Sequence, residues 1–189
     1  MNMPVLETIT QRHAFRALSA EPIADEVLTE ITQAGCLAPS CYNNQPWRII
    51  VARGERLTAL KTSLAEGNAW AQVAPAIIAM AVRACDDCRL EDGRDYAFYD
   101  AGLCAMNMIL QATALGLVAH PIAGYSPAKA KKALGIPKDY VLINLIILGR
   151  RGESNSLTDW QRAAESGQRE RRPVDTTVAF EAWPAAWQT

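Results

Sequence analysis

Hydrophobic positions along the chain change period several times, and each change marks an element. Over Asp25 to Leu37 the apolar side recurs at Leu28, Ile31 and Gly35, a helical spacing, behind acidic residues that suit a helix start. A shorter helix is expected around Pro4 to Arg12, followed by the irregular "HAFRALSAEPI". Residues 55–66, "ERLTALKTSLAE", repeat the helical period. By contrast, "PAIIAMAVR" (75–83) and "YVLINLIILG" (140–149) are short continuous apolar runs of the kind buried strands make, and "WRIIVAR" (47–53) is a third strand. Asp95 to Leu117 is the longest helix and is apolar nearly all round, so it is a central one, covered on more than one side. "VAHPIAGYS" (118–126) reads as a short strand or extended loop, and Ser126 to Leu134 as a small helix opened by Ser-Pro. From Arg150 the chain turns polar and arginine-bearing, until "TVAFEAWPAAWQT", whose apolar end needs cover. Three strands interleaved with four or five helices indicate a helix-covered sheet, whose strand order periodicity leaves open.

Composition narrows this further. The 189 residues are half hydrophobic, enough for one domain with a sizeable core. Nineteen Lys and Arg against twenty Asp and Glu give a net charge of −1, which offers no whole-molecule attraction to nucleic acid or an acidic membrane. No apolar run approaches the roughly 20 residues of a membrane span, and Met1 to Pro4 lacks a secretory start, so the cytoplasm is the expected location. Five cysteines, at 36, 41, 85, 88 and 104, are an odd number in a chain large enough to need no staples. Reduced thiols are expected. Cys85 and Cys88 form a CxxC that could serve zinc or redox chemistry, but it lacks ligand partners and sits in "CDDCRLEDGRD", which reads as a solvated connection.

The stretch "LAPSCYNNQPWRIIV" (37–51) is more polar than a turn requires. One or two Asn or Ser groups satisfy a turn locally, whereas Ser40 to Gln45 provide six polar-capable residues between two prolines, a surplus that asks for a ligand. Three other places pair basic or permissive residues: Arg12, His13 and Arg16 in "QRHAFR", Gly124 in "PIAGY", and Arg169, Arg171 and Arg172 in "RERRP". Arginine's planar fork matches phosphate oxygens and stays charged, so two Arg clusters in a chain of net charge −1 suggest a phosphate-bearing ligand. Each cluster alone has a plainer reading, as a helix-end complement or a solvated charge run.

"RHAFR", "APSCYNNQPWRIIV", "YDAGLCAMNMILQATALGL", "PIAGY" and "RERRPV", in this order and spacing, resemble the FMN-dependent nitroreductase family across nearly the whole chain. The resemblance implies an α+β fold, a three-layer α/β/α sandwich with a central, mostly antiparallel sheet. It also implies a homodimer with FMN at the interface, and NADH or NADPH as electron donor. Arg12 and His13 would meet the FMN phosphate, with Ala14 where a serine is frequent, and Arg16 the pyrimidine edge of the ring. Arg169 and Arg171 would complete the phosphate clamp. Pro39, Ser40, Cys41 and Asn43, with Gln45 beside them, would reach the flavin of the opposite subunit. Ala123 and Gly124 would present backbone N–H groups near flavin N5, and Asn68 would contact the polar edge. Tyr42, Phe98 and Tyr99 are candidates to line the acceptor pocket.

The implied activity is ping-pong reduction of nitroaromatics, quinones or a related small-molecule acceptor, with the chemistry carried by the flavin rather than a catalytic side chain. No "GxGxxG" follows a strand, so a Rossmann dehydrogenase is unsupported, and neither nucleic acid nor membrane is an expected partner. An FMN carrier or sensor without turnover is the alternative, and a thiol or zinc protein built on "CDDC" a third. A single domain spans 1–189, its 150–189 extension expected to pack on the partner subunit.

Overall fold

A computed structural model describes residues 5–184 and 187. Four strands, β1 (Arg48–Ala52), β2 (Ala76–Val82), β3 (Val118–Ile122) and β4 (Val141–Gly149), form one sheet in the order β1-β2-β4-β3, every neighbour antiparallel. The α-helices described are α1 (Glu7–Gln11), α2 (Asp25–Cys36), α3 (Gly54–Lys61), α4 (Tyr96–Ala114), α5 (Pro127–Leu134) and α6 (Asp159–Ser166).

The continuous apolar runs are explained by cover on both faces. Side chains of a strand alternate between faces, so Ile78, Met80 and Val82 of β2 join Ile146 and Leu148 of β4 on one side, under α2 and α4. Ile77 and Ala79 join Leu145 and Ile147 on the other, against Leu57 and Leu60 of α3 and Ala130 of α5. Both faces need apolar residues, and the polar/apolar alternation expected of an antiparallel strand with one wet face is lost. The result is the expected α/β/α sandwich. The short stretch after Leu117 is a true strand, pairing Val118 to Ile122 with β4.

Helix α2 buries Leu28, Ile31 and Gly35, the predicted face. Gly35 permits its close approach to α4: a Cβ there would stand 2.6 Å from Met108 Cγ. Two helices are shorter than their period suggests. Helix α3 stops at Lys61, after which the Thr62 and Ser63 hydroxyls bond back to Ala59 and Leu60 carbonyls and the Ser63 carbonyl accepts from Ser126 N–H. Helix α4 stops at Ala114 because Gly116, at φ +73°, turns the chain left-handed and lets Leu117 N–H close onto the Ala112 carbonyl. A third departure is an addition: the polar stretch after Arg150 contains α6, whose start is a capping box of Thr158 and Gln161.

Candidate flavin site

The two arginine clusters, more than 150 residues apart in sequence, meet in one cavity of about 300 Å³. They meet because the chain after β4 folds back along the N-terminal segment. Ser19 N–H donates to the Arg150 carbonyl and Gly152 N–H to the Ala17 carbonyl, at 3.0 and 2.9 Å. Gly152 is required there, since a Cβ would lie 2.4 Å from the Leu18 carbonyl. Farther on, Arg169 donates to the carbonyls of Arg12 and Thr10 and ties the C-terminal segment to the end of α1. Arg12, His13, Ala14, Arg16, Arg169 and Arg171 therefore all border the cavity.

Its electrostatics are lopsided. Among the described residues, none of Arg12, Arg16, Arg169 and Arg171 has a carboxylate within ion-pair distance. Burial, then the charges of Arg169 and Arg171, pull the Arg12 pKa down. Burial followed by Arg169 and Arg12 does the same to His13, whose ring stacks on Phe15 at 4.9 Å. Like charges gathered without counterions disfavour one another, and an anion in the cavity would relieve them.

Among the described residues the one carboxylate in the wall is committed elsewhere. Glu165, with its side chain only 6% exposed, accepts from Arg16 N–H, from Ala17 N–H at 2.8 Å and from Arg151 Nη1 at 2.8 Å. Burial alone would raise its pKa; the Arg16 N–H, Arg151 and the Ala17 N–H overcome this and hold it below the ordinary value. Arg151 also lies 3.6 Å from the Phe15 ring centre, and Arg16 lies 5.0 Å from that of Trp160.

Trp160 links this cavity to a larger one of about 600 Å³, bordered also by Trp70, Val73, Thr158 and Gln161. Asn68, between Gly67 and Ala69 of its lining, is in direct contact with Gly124. Asn68 Nδ2 donates to the Gly124 carbonyl at 2.8 Å, and its Oδ1 accepts from Trp70 Nε1 at 3.2 Å. Glycine at 124 leaves room for this contact: a Cβ would stand 2.5 Å from Asn68 Nδ2, which would have to move. Ala123 precedes it, just beyond β3. His120 completes the connection: its Nδ1 lies 3.0 Å from the Phe15 carbonyl, which requires the proton on that nitrogen, and its ring packs 4.6 Å from Trp70. Burial pulls the His120 pKa down, favouring the neutral ring.

The polar stretch forms a separate cluster. Residues Cys41–Asn43 make a tight turn, with Tyr42, Asn43 and Gln45 at φ +48°, +58° and +51°. A left-handed non-glycine residue costs roughly 1–2 kcal/mol, less for Asn, so the turn needs fastening. Ser40 Oγ accepts from Gln45 N–H, Gln45 Nε2 donates to the Asn43 carbonyl, and Cys41 N–H donates to Asp100 Oδ2 at 2.7 Å. Asp100 comes from α4 and is buried; burial and then Asp87 raise its pKa, while the Cys41 N–H opposes them. Pro39 precedes the turn. Among the described residues no hydrogen bond joins this loop to the arginine cavity of the same chain.

Here the structure corrects the expectation of reduced thiols. Cys41 is bonded to Cys88 across 47 residues, and only Cys36, Cys85 and Cys104 are free. "CDDC" is therefore not a pair of thiols in a loose connection: its second cysteine anchors the polar loop, while its first remains an exposed thiol. Of the aromatic candidates, Tyr42 is 92% and Tyr99 62% exposed, whereas Phe98 packs against the α2/α4 core.

Glu165, Arg151, Trp160, His120 and Asp100 were not singled out from sequence. The "TDWQ" capping box at 158–161 signalled a helix that would carry Trp160 and Glu165, but their contacts depend on the return of the chain after β4.

Residues 9–150 match the Nitroreductase family. An Archaeoglobus fulgidus protein, whose name pairs NADH dehydrogenase with NAD(P)H nitroreductase, is 32% identical over 149 residues, covering 76% of this chain and 83% of the relative. A Bacillus subtilis FMN reductase (NAD(P)H) is 24% identical over 172 residues, covering 80% and 68%. Among solved structures, an oxidoreductase containing FMN superposes with a TM-score of 0.84 at 25% identity, over 97% of this chain and 95% of the other. A Desulfovibrio desulfuricans nitroreductase-type chain in complex with FMN does so with a TM-score of 0.76 at 26% identity, over 97% and 100%.

Proposed function

The chain belongs to the nitroreductase family, and from that premise we propose that it is an FMN-dependent oxidoreductase. It takes reducing equivalents from NADH or NADPH and delivers them to a nitroaromatic, quinone or related acceptor in a ping-pong cycle. The observation that carries this reading is the cavity where four arginines from both ends of the chain converge without a carboxylate partner among the described residues. A phosphate dianion fits that surplus: charge-assisted hydrogen bonds contribute on the order of 1.5–3 kcal/mol each, and arginine can supply them in pairs.

FMN, when bound, supplies the hydride acceptor and donor. The protein's part is to hold and tune it. Arg12, His13, Arg169 and Arg171 hold the phosphate, and the Arg16 guanidinium offsets negative charge on the reduced ring. The Asn68 amide and the main chain at Ala123 and Gly124 orient the ring's polar edge, and the Asn68–Gly124 contact keeps that edge rigid. Trp160 and Trp70 wall the larger cavity and keep water from the ring.

Pro39, Ser40, Cys41, Asn43 and Gln45 serve the site of a second subunit. What supports this is their separation from their own arginine cavity, together with the exposure of Leu37 and Tyr42 and of Phe180 and Trp183 in the 150–189 extension. Tyr42 and Tyr99 then border the acceptor space.

The test is anaerobic mixing of the purified, FMN-loaded protein with NADH or NADPH, followed by addition of a nitroaromatic or quinone. Flavin bleaching and acceptor-dependent recovery of colour are expected. A bound flavin that neither nicotinamide reduces would overturn the proposal in favour of a carrier.

A further inference from the structure

The Cys41–Cys88 bond is placed where a fold-supporting disulfide has little to support. Neither cysteine belongs to the two hydrophobic clusters that hold the sheet between its helices. The bond joins two surface segments, the left-handed turn at Cys41–Asn43 and the chain just after the short helical turn Ala84–Asp86. Both bonded cysteines are only half-buried. Three further cysteines stay free, two of them exposed, so the chain is not built for full oxidation.

The bond's neighbours make its two sulfurs unequal. Asn44 Nδ2 lies 3.8 Å from Cys88 Sγ, and both sulfurs lie within 4.8 Å of an Asp87 carboxylate oxygen. Among the described residues Asp87 Oδ2 is buried with no hydrogen-bond partner, although Asn44 Nδ2 donates to its other oxygen at 3.1 Å. An Asn44 donor beside Cys88 favours that sulfur over Cys41 as the departing thiolate.

We propose that Cys41–Cys88 is a thiol-exchange site, opened by a low-molecular-weight thiol, that fastens or frees the polar loop at Ser40–Gln45. The thiolate of the small molecule attacks Cys41 Sγ, the Cys41–Cys88 bond breaks, and Cys88 leaves as a thiolate and takes up a proton. Cys41 now carries a mixed disulfide. A second small thiolate removes it, releasing Cys41 as a thiolate and one molecule of the small-molecule disulfide; two thiols are oxidised and one protein disulfide is reduced. The loop then keeps only the Cys41–Asp100, Asn44–Asp87 and internal Ser40 and Gln45 hydrogen bonds against three left-handed residues.

This inference does not depend on bound flavin, and its readouts are thiols and loop protection. The native full-length protein is incubated with reduced glutathione, alkylated without denaturant and weighed intact. Alkylation sites are mapped, and amide hydrogen exchange is followed at residues 40–45. Before treatment Cys36 and Cys85 alone should alkylate. With glutathione a transient adduct of one glutathione on Cys41 should appear, then alkylation of Cys41 and Cys88, with exchange at 40–45 at least tenfold faster. The Cys88→Ser variant should show the fast loop without any thiol. Cysteines 41 and 88 that open only in denaturant would overturn the proposal, as would a bond that opens while the loop keeps its protection.

Discussion

Replacing Gly124 by alanine places a methyl 2.5 Å from Asn68 Nδ2, well inside any real contact. Asn68 has little room to yield, because its amide is held at both ends, donating to the Gly124 carbonyl and accepting from Trp70 Nε1. Moving it breaks both bonds. Each contributes about 0.5–1.5 kcal/mol, and the buried indole N–H left without an acceptor costs about 1–3 kcal/mol. A total of about 2–6 kcal/mol follows, equivalent to a fall in Tm of at least about 4 °C for a domain of this size. Urea unfolding followed by tryptophan fluorescence measures it, with Gly124→Ala and Asn68→Ala assayed alone and together. The double variant should be hardly less stable than Asn68→Ala alone, because the clash disappears with the amide. A Gly124→Ala protein within about 0.5 kcal/mol of wild type, or fully additive variants, would refute the reasoning.

Glu165 makes a pH prediction. Its folded pKa lies below the ordinary 4.5, so its contribution to stability is present in full above about 4.5 and drains away as pH falls through the depressed value. Glu165→Gln should cost about 2–3 kcal/mol at pH 7 and flatten the loss between pH 5 and 3 in acid titrations of the unfolding midpoint. Cys104, buried with its thiol pushed up to about 12, should resist alkylation at pH 8 in the native protein while Cys36 and Cys85 react. Mapping the modified residues checks this; fast modification of Cys104 would contradict its placement.

What could be read in advance follows physical range. Leu28, Ile31 and Gly35 show a helical face in three letters, and that face is the one α2 buries. The runs at Ala76–Val82 and Val141–Gly149 show burial on both sides but not strand direction, since a strand covered on two faces looks alike in parallel and antiparallel sheets. The arginine cavity was legible as composition plus family resemblance, and the structure brings its two halves together. Glu165 was not legible, because nothing local distinguishes it from Glu170; only the pairing of Ala17 with Gly152 carries the chain to where α6 sets it against the Arg16 and Ala17 amides. The Cys41–Cys88 bond was missed for a similar reason. Counting cysteines argues against a framework, and it says nothing about one bond between a turn before β1 and a turn after β2.

Arg171 offers the most direct test of the phosphate site. Its only described hydrogen bond is to the neighbouring Glu170 carbonyl, so its removal leaves the fold's long-range contacts in place. Apo-protein with Arg171 or Arg171→Gln is titrated with FMN and with riboflavin, which differs by the phosphate alone, and binding is read from quenched flavin fluorescence. The account predicts FMN affinity lower by about 10- to 150-fold, the equivalent of one charge-assisted contact, with riboflavin affinity unchanged. Equal affinity of both proteins for FMN, or an equal loss for both flavins, would contradict it.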